Sequence, residues 1–396
     1  MNELVGYRRP DGRFGIRNYV LILSTVGCAN ETVKRIADQV DGAVAIPNQK
    51  GCGQVGDSME ILRRTMAGFA ANPNVYGTIV VGLGCETNKP QVIAERIRSL
   101  TNKPLEVMTI QAIGGTVKTI EAGIKLAQTM VAAGRRVELS KGSLSEITLA
   151  TNCGGSDATS GLSPNPALGL CSDRLIQAGG TVILGETTEL IGTEHILASR
   201  AKDTATGERI LELVQGLETT FAAMGLSVRG ANPTPGNMAG GLSTLEEKSL
   251  GGISKLGSSM INQVVRYGEM PTQKGAIIMD TPGYDIESVS AMVAGGAQVC
   301  VFTTGRGNPI GNAIIPMIKI TGNGDTAQTM ADNIDLDLSG ILNASLSLKE
   351  GGQLIYDRLI TTCMGELTKS EINGFKEIAI YRNNEVWCCN LDAEEV

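Results

Sequence analysis

Short runs of apolar residues alternate along the chain with Gly-rich turns and with longer segments in which apolar residues recur every three or four positions. The short runs are typical of buried strands, and the periodic segments are typical of helices that cover a sheet. This pattern predicts strands at 19–24, 43–46, 78–83, 105–110, 147–150, 181–184, 276–279 and 298–302.

The segments between these runs are predicted to be helical. Asn30 is expected to cap the first helix, a second helix is expected to start near Asp57, a third to hold Pro90 in its first turn, and a fourth to cover 115–133. Strands that are apolar throughout and alternate with helices indicate an α/β fold, in which helices cover both faces of parallel sheets.

The domain organisation follows from where this alternation is interrupted. We predict two α/β units, an N-terminal one over 1–140 and a C-terminal one over 145–396. Inside the second unit the rhythm breaks after about residue 201, with a long helical stretch and then a loop-rich insertion around 230–275.

Composition narrows the class of protein. Of 396 residues, 42% are hydrophobic, 19% are charged and 50 are glycine, which indicates a packed globular chain rather than a disordered one. A net charge of −7 without a long basic run argues against nucleic-acid binding. No apolar stretch reaches the roughly 18 residues that cross a bilayer, and the first residues lack the features of a secretory signal. Since nine cysteines are then expected to be thiols, we predict a cytoplasmic protein.

Two further classes of chemistry lack support in the sequence. The single histidine, His195, excludes a three-histidine zinc site, an HExxH helix and a Cys2His2 finger. The GxGxxG pattern is absent after the first predicted strand, and no GxxxxGK[ST] loop exists, so nicotinamide and nucleoside-triphosphate chemistry are not indicated.

Four cysteines share one setting, because each follows a predicted strand and has a glycine beside it: Cys28, Cys52, Cys85 and Cys153. Ligands of parallel α/β sheets bind beyond the carboxyl ends of the strands, so these loops could converge on one metal or anion pocket, with Asp157 as a further ligand. Alternatively, each cysteine is a small residue buried in a tight turn. The standard compact spacings of an iron–sulfur cluster do not occur. The remaining cysteines are assigned to structure: Cys171, Cys300, Cys363, Cys388 and Cys389.

Other turns join glycine to polar side chains. Ser156 follows two glycines after a strand, and Arg306 and Asn308 lie in a Gly-rich turn suited to clamping a carboxylate. Arg17 precedes the first strand, and Glu189 and His195 bring acid–base groups near one another. The alternatives are ordinary ones: a loop arginine is commonly a solvated ion-pair partner, and a helical histidine is commonly packed or solvated.

Several blocks of the sequence resemble the altronate dehydratase/galactarate dehydratase family. The resemblance runs in order from about residue 6 to about residue 380 and rests on long, unusual motifs: GYRRPDGRFGIRN (6–18), GCGQ (51–54), GLGCE (82–86), CGGSDATSG (153–161), NPTPGN (232–237), GGLSTLEEKSL (240–250) and TTGRGNP (303–309).

The resemblance implies a lyase that removes a leaving group from C3 of a small anionic 2-hydroxy acid and yields a 2-keto acid. Sugar-acid members expel water and depend on ferrous iron, whereas the large subunit of (2R)-sulfolactate sulfo-lyase expels sulfite and leaves pyruvate. We place the sugar-acid hydro-lyase first, with Fe2+ or another divalent metal as cofactor. The sulfo-lyase, a non-catalytic acid-binding subunit and an iron–sulfur enzyme stay as alternatives.

Partners and site residues follow from the same resemblance. Fused members of the family carry a small domain before the motif at residue 6, so this chain is expected to be the large subunit of an oligomeric enzyme whose small subunit is encoded separately. Arg17, Ser156, Arg306 and Asn308 are candidates for binding substrate. The candidate metal residues are Cys28, Cys52, Cys85, Cys153 and Asp157, and the candidate bases are Lys50, Glu86, Glu189 and His195.

One stretch departs from the family pattern. Altronate-type relatives carry a histidine shortly before the Gly51-Cys52 pair, where this chain has the stretch Ile46-Pro-Asn-Gln-Lys50. A metal-binding or proton-transfer role of that histidine would need another group here. The additional positive charge would suit a dianionic substrate such as a sulfonate.

Overall fold

The computed structural model of the chain describes residues 3–381. Within this range the strands are β1 (Glu3–Arg8), β2 (Phe14–Gly15), β3 (Tyr19–Ser24), β4 (Ala43–Ile46), β5 (Val75–Gly82), β6 (Leu105–Thr109), β7 (Ser140–Ser143), β8 (Thr148–Cys153), β9 (Thr181–Leu184), β10 (Ile261–Val265), β11 (Gly275–Met279), β12 (Val299–Thr304), β13 (Met317–Thr321) and β14 (Leu336–Asp337).

Helices connect most of these strands. The α-helices of the described range are α1 (Asn30–Ala37), α2 (Gly56–Ala71), α3 (Pro90–Leu100), α4 (Ile110–Ile113), α5 (Thr116–Gly134), α6 (Pro164–Gln177), α7 (Glu194–Ser199), α8 (Thr204–Ala223), α9 (Val228–Ala231), α10 (Pro235–Ala239), α11 (Leu245–Ile253), α12 (Asp285–Ala294), α13 (Gly324–Thr329), α14 (Leu348–Cys363) and α15 (Lys369–Ile372). Short 3₁₀ turns lie at Gly27–Ala29, Leu144–Glu146, Thr187–Glu189, Ser254–Leu256 and Ser339–Ile341.

The first half of the chain builds a parallel four-stranded sheet in the order β4-β3-β5-β6. Alternate residues of β3 face opposite layers: Ile22 packs with α1 and α5, and Leu23 packs with α2 and α3. Because both faces are covered, the strands are apolar throughout, which is the pattern that the sequence displays.

The second half builds a parallel seven-stranded sheet in the order β10-β11-β9-β8-β12-β13-β14. Helices α6 and α14 pack on one face and α12 packs on the other. The predicted fold class, parallel sheets covered by helices, is therefore confirmed. Within residues 3–381, none of the helices has the length and apolar character needed to cross a membrane.

A third, antiparallel sheet of order β2-β1-β7 joins the beginning of the chain to the segment that connects the two larger sheets. The hydropathy pattern did not predict it. Its strand β7 has the sequence SKGS, which contains no apolar residue and cannot be distinguished from a loop by periodicity.

The predicted strands agree closely with the structure, but β13 and β10, the latter inside the predicted loop-rich insertion, were not predicted, and one helix start differs. Strands β3, β4 and β9 have the predicted bounds, and β8 extends three residues further, to Cys153. Asn30 is the first residue of α1 rather than its cap. Its carboxamide instead bonds the backbone N–H and carbonyl of Asn48, so it ties the loop after β4 to the loop after β3.

Helices α2 and α12 form the layer that separates the two large sheets. The buried Asn72 side chain, just after α2, donates to the carbonyls of Val293 and Ala297, both at 2.8 Å. Gly68 packs against the backbone of Ala294 so closely that a Cβ at position 68 would overlap the Ala294 carbonyl. The close approach of the two helices therefore depends on the missing side chain at Gly68.

Replacing this glycine is expected to destabilise the protein. Gly68→Ala should lower the free energy of unfolding by about 1–3 kcal/mol, because the new methyl group forces α2 and α12 apart and disturbs a packed core. Gly216→Ala is the matched control, since it also lies in a helix but has open space around its Cβ position, and it should stabilise slightly through helix propensity. Urea unfolding of both variants checks this. Equal stability of the two would contradict the packing argument.

Candidate active site

The carboxyl edge of the seven-stranded sheet brings together polar and ionisable side chains from four neighbouring strands. Cys153 ends β8, Glu186 and Glu189 follow β9, Asp285 follows β11, and Arg306 follows β12. Because parallel strands all end at the same edge, residues far apart in sequence meet there. Helix α11 adds a cation from the segment that interrupts the strand–helix rhythm.

Two cavities open at this edge and share four lining residues, Cys153, Ser156, Glu189 and Lys248. The first lobe, about 440 Å³, is otherwise polar and includes Asp285 and Arg306. The second lobe, about 560 Å³, is lined mainly by polar and charged residues, together with three glycines and with Leu162, Leu242 and Leu250. Both volumes fall within the usual range of small-molecule sites. The four shared residues form the neck between the lobes.

A carboxylate and an ammonium group face each other at this neck. Glu189 Oε1 lies 2.8 Å from Lys248 Nζ, and both side chains are almost fully buried. Lys248 also donates to the side-chain oxygens of Asn232 and Asn237, at 3.0 and 3.2 Å. Burial alone would lower the pKa of Lys248, but the contact with Glu189 outweighs it and the pKa is raised. The ammonium group is therefore charged and fixed in place.

Asp285 is the second carboxyl group of the first lobe. Burial and the nearby Glu189 raise the pKa of Asp285 to about 7. Its two oxygens accept hydrogen bonds from the carboxamides of Asn152 at 2.9 Å and Asn308 at 3.0 Å. Near neutral pH this group can therefore hold or release a proton, while Glu189 lies against a cation. Two carboxyl groups in such different environments are suited to separate acid and base roles.

A buried ion pair lies beneath the cavity. Lys255 Nζ is 2.5 Å from Glu186 Oε2, and each side chain is only 1% exposed. Burial, reinforced by Glu189 and Asp285, raises the pKa of Glu186 despite the attraction of Lys255. Glu186 also accepts the backbone N–H of Cys153 at 3.2 Å, from a left-handed backbone conformation with φ 65°. A buried charge and a strained non-glycine residue are features that cluster at functional sites.

Cys153 and Arg306 both line the first lobe. Burial raises the pKa of the Cys153 thiol, whose sulfur is 2.8 Å from Ser156 Oγ, so the thiol form is favoured. Arg306 is exposed, and its Nη1 donates to the carbonyl of Gly236 at 2.8 Å. Among residues 3–381 no carboxylate forms an ion pair with Arg306, which leaves its guanidinium able to bind an anion.

The structure brings six of the residues singled out from sequence to this site: Cys153, Ser156, Asp157, Glu189, Arg306 and Asn308. Asp157 serves the loop itself. One of its oxygens accepts from the N–H and hydroxyl of Thr159, and the other accepts from Asn323 at 3.0 Å. Its carboxylate therefore fixes the CGGSD turn.

The other candidates lie elsewhere. Arg17 forms a buried two-pronged pair with Glu371 at 2.7 and 2.9 Å. Burial alone would raise the pKa of Glu86, but hydrogen bonds from Thr25 and the loop backbone lower it, so Glu86 is an ionised group that holds the loop after β5. Lys50 is half-buried after β4, and His195 is exposed on α7.

The four cysteine loops divide between the two large sheets, and the two cavities that Cys153 lines do not include the other three cysteines. Cys28, Cys52 and Cys85 are exposed on the interlocked loops after β3, β4 and β5, at the carboxyl edge of the four-stranded sheet, whereas Cys153 belongs to the other sheet. Periodicity cannot show that the strands divide between two sheets. Cys171, Cys300 and Cys363 are buried in the core, and Cys388 and Cys389 lie outside the described residues.

The described residues do not form a metal-ligand cluster. Across 3–381, no group of three or more histidine, cysteine, aspartate or glutamate side chains is arranged to hold a metal ion. At the cavity, Glu186 and Glu189 are already engaged by lysines, and the thiol of Cys153 is protonated. The protein groups placed here therefore do not fit a ready-made iron site.

Sequence reasoning missed several residues of the site. Lys248 and Asn237 lie inside blocks that carry the family resemblance, GGLSTLEEKSL and NPTPGN, and that position was the available signal. Glu186 shares the turn of Glu189. Asp285 and Lys255 are single charged residues in ordinary helical patterns, so nothing in their local sequence distinguishes them from solvated surface groups.

Comparisons with known proteins bear on the whole chain. Residues 6–135 match a family model described as D-galactarate dehydratase/altronate hydrolase, second domain, and residues 144–386 match D-galactarate/altronate dehydratase, C-terminal. The chain is 35% identical to (2R)-sulfolactate sulfo-lyase subunit beta of Chromohalobacter salexigens, covering 96% of this chain and 97% of that protein. It is 34% identical to altronate dehydratase of Escherichia coli (96% and 78%) and 32% identical to galactarate dehydratase (L-threo-forming) of the same organism (91% and 72%).

Proposed function

The chain belongs to the D-galactarate/altronate dehydratase family, and we propose that it is a lyase that removes water from C2 and C3 of a sugar acid to give a 2-keto acid. The observation that carries this proposal is the presence at one cavity of two carboxyl groups in unlike environments, Glu189 and Asp285, beside the guanidinium of Arg306, which forms no ion pair within residues 3–381.

The chemistry needs a base at C2, an acid at C3 and a group that holds the carboxylate. In our proposal Arg306 binds the substrate carboxylate and Glu189 removes the proton from C2. The C2–H electron pair forms the C2–C3 double bond as the C3–O bond breaks, and Asp285 gives its proton to the departing hydroxyl, which leaves as water. The resulting enol then tautomerises to the 2-keto acid. Charge that develops on the carboxylate is stabilised by Arg306 and Lys248.

A requirement for Fe2+ or another divalent metal is kept as a proposal from the family resemblance. Such an ion would supply Lewis-acid stabilisation of the substrate, but the described side chains do not form its binding group, so no step of the scheme is assigned to it. Activity of the purified protein before and after chelation, with Fe2+ added back, tests the requirement.

A second candidate is the release of sulfite from sulfolactate, favoured by the match to the sulfo-lyase subunit over 97% of its length. That relative is named as a subunit, which supports the proposal that this chain works with a separately encoded small subunit in an oligomer.

All seven described cysteines are free thiols, which supports the proposal of a reducing, cytoplasmic location.

The decisive experiment is a substrate panel. Altronate, galactarate and (2R)-sulfolactate are incubated with the purified chain, with and without Fe2+ and the partner subunit, and the 2-keto acid is measured. We expect turnover of a sugar acid. Turnover of sulfolactate alone would favour the second candidate, and binding without turnover under every condition would contradict a catalytic role.

The acid role of Asp285 predicts a pH dependence. The proton donor must be protonated, and burial raises the pKa of Asp285 to about 7, so kcat/KM for a hydroxy acid should fall as pH rises through about 7. Asp285→Asn should lower kcat by about 10²–10⁴-fold, the usual contribution of a general acid. Sulfite leaves as a stable anion without a proton, so sulfolactate turnover should be far less sensitive. A profile without this alkaline limb would contradict the assignment.

A further inference from the structure

We infer that the second lobe is a subsite for the part of the substrate beyond C3, and that Glu247 makes it accept an uncharged chain and reject a second anionic group. The inference rests on the proposed function, because it takes the carboxylate at Arg306 and the chemistry at Glu189 as its starting points. It adds a specificity-determining residue outside the proposed reaction scheme.

The arrangement of the lobes fixes the direction of the substrate. Arg306 lines only the first lobe, Glu189 lies at the neck, and the second lobe continues beyond it. A hydroxy acid whose carboxylate meets Arg306 and whose C2 meets Glu189 therefore extends its remaining carbons into the second lobe. A three-carbon acid ends at the neck and leaves that lobe of about 560 Å³ unfilled.

The charges of the second lobe are mainly acidic. Within the described residues its lining contains one cation, Lys248, and that cation is paired with Glu189. Glu246 lies in an ion pair with Arg229. Glu247 has no such partner: hydrogen bonds from the hydroxyl and the N–H of Ser243 lower the pKa of Glu247, so it stays ionised.

Glu247 can also recognise a neutral chain. Both hydrogen bonds from Ser243 go to Oε2, and no residue of 3–381 donates to Oε1, so this oxygen can accept from a substrate hydroxyl group. A second carboxylate at the same place would meet a like charge with no uncommitted cation, which is the repulsive element that creates specificity. In the lining of this lobe Leu242 is buried, whereas Glu247, Leu162 and Leu250 are exposed, so the lobe is open to solvent.

Two variants test the subsite with three acids: altronate (six carbons, one carboxylate), galactarate (six carbons, two carboxylates) and glycerate (three carbons). Glu247→Gln should reduce the altronate-to-galactarate ratio of kcat/KM by about tenfold, since it removes the repulsion. Leu162→Trp, which narrows the lobe from an exposed position, should raise the KM for altronate by about tenfold relative to that for glycerate.

Matched controls separate charge and bulk from position. Glu208 is an exposed carboxylate on α8, Leu226 is an exposed leucine beyond the end of that helix, and neither residue lines a lobe. Glu208→Gln should therefore leave the altronate-to-galactarate ratio of kcat/KM unchanged, and Leu226→Trp should leave the altronate-to-glycerate ratio of KM unchanged. The inference is overturned if Glu247→Gln leaves the altronate-to-galactarate ratio unchanged, or if Leu162→Trp affects altronate and glycerate equally.

The proposed function can fail separately. If wild-type protein turns over none of the acids, the catalytic proposal is contradicted, and the subsite is then judged by calorimetric binding of altronate and galactarate. A preference for altronate that Glu247→Gln abolishes would still support the subsite, whereas equal dissociation constants in both proteins would overturn it.

Discussion

Glu189→Gln is expected to lower kcat by about 10²–10⁴-fold, because it removes the group that takes the C2 proton. The change keeps the shape of the side chain and replaces a charged oxygen by an amide. Lys248 keeps its hydrogen bonds to Asn232 and Asn237, so the neck should hold its geometry. The loss should therefore appear in kcat rather than in folding.

Two measurements make this expectation specific. Steady-state turnover gives the size of the loss, and the kinetic isotope effect with substrate deuterated at C2 reports how far proton removal limits kcat. The variant should show a lower kcat and a larger isotope effect, while Glu208→Gln, an exposed control on α8, should change neither. A variant that keeps kcat within about threefold and raises only KM would show that Glu189 positions substrate instead of removing the proton.

Much of the fold could be predicted because parallel sheets with two covered faces produce continuous apolar strands. Tyr19–Ser24, Ala43–Ile46 and Thr181–Leu184 were each bounded by glycine or polar turn residues. The prediction missed strand Met317–Thr321, although it is buried at every position. It also missed strand Ser140–Ser143, which carries no apolar residue and whose partner is more than a hundred positions away. Local periodicity contains no information about such long-range pairing.

The site could be predicted only in part, for a related reason. Residues at strand ends beside glycines, such as Cys153 and Arg306, have a local signature. Lys248 reaches the cavity from a helix of the segment that breaks the strand–helix alternation. Asp285 is oriented by Asn152 of β8 and by Asn308 in the loop after β12. The function of these two residues arises from tertiary contacts. The same holds for the cysteines: Cys28, Cys52 and Cys85 are separated from Cys153 because their strands belong to another sheet, and local sequence does not show to which sheet a strand belongs.

Lys255→Met is expected to produce the largest loss of stability, about 3–5 kcal/mol, because breaking a buried ion pair leaves its partner's charge uncompensated. In the wild type the ammonium group of Lys255 offsets the desolvation of Glu186 in a region that also contains Glu189 and Asp285. Without it, three carboxyl groups share a buried volume near Lys248 alone.

The pH dependence of this loss has a defined sign. The pKa of Glu186 is raised in the folded protein and should rise further in the variant, while the unfolded chain titrates near the ordinary value of about 4.3. The folded variant then binds more protons than the unfolded chain, so its stability falls as pH rises above that ordinary value. Because the wild-type pKa is itself raised to about 8, both proteins lose stability in parallel below that pH, and the deficit against wild type should be larger at pH 9.5 than at pH 7 in guanidinium unfolding.

Two companion variants identify the cause. Glu186→Gln combined with Lys255→Met removes both charges and should recover part of the stability, since a neutral buried pair carries no uncompensated charge. Lys34→Met breaks an exposed pair with Glu31 on α1 and should leave the unfolding midpoint essentially unchanged, because solvent screens that contact. The stability lost in Lys255→Met could also be independent of pH and remain in the double variant. That result would show that the loss comes from packing around the lysine stem and not from the charge on Glu186.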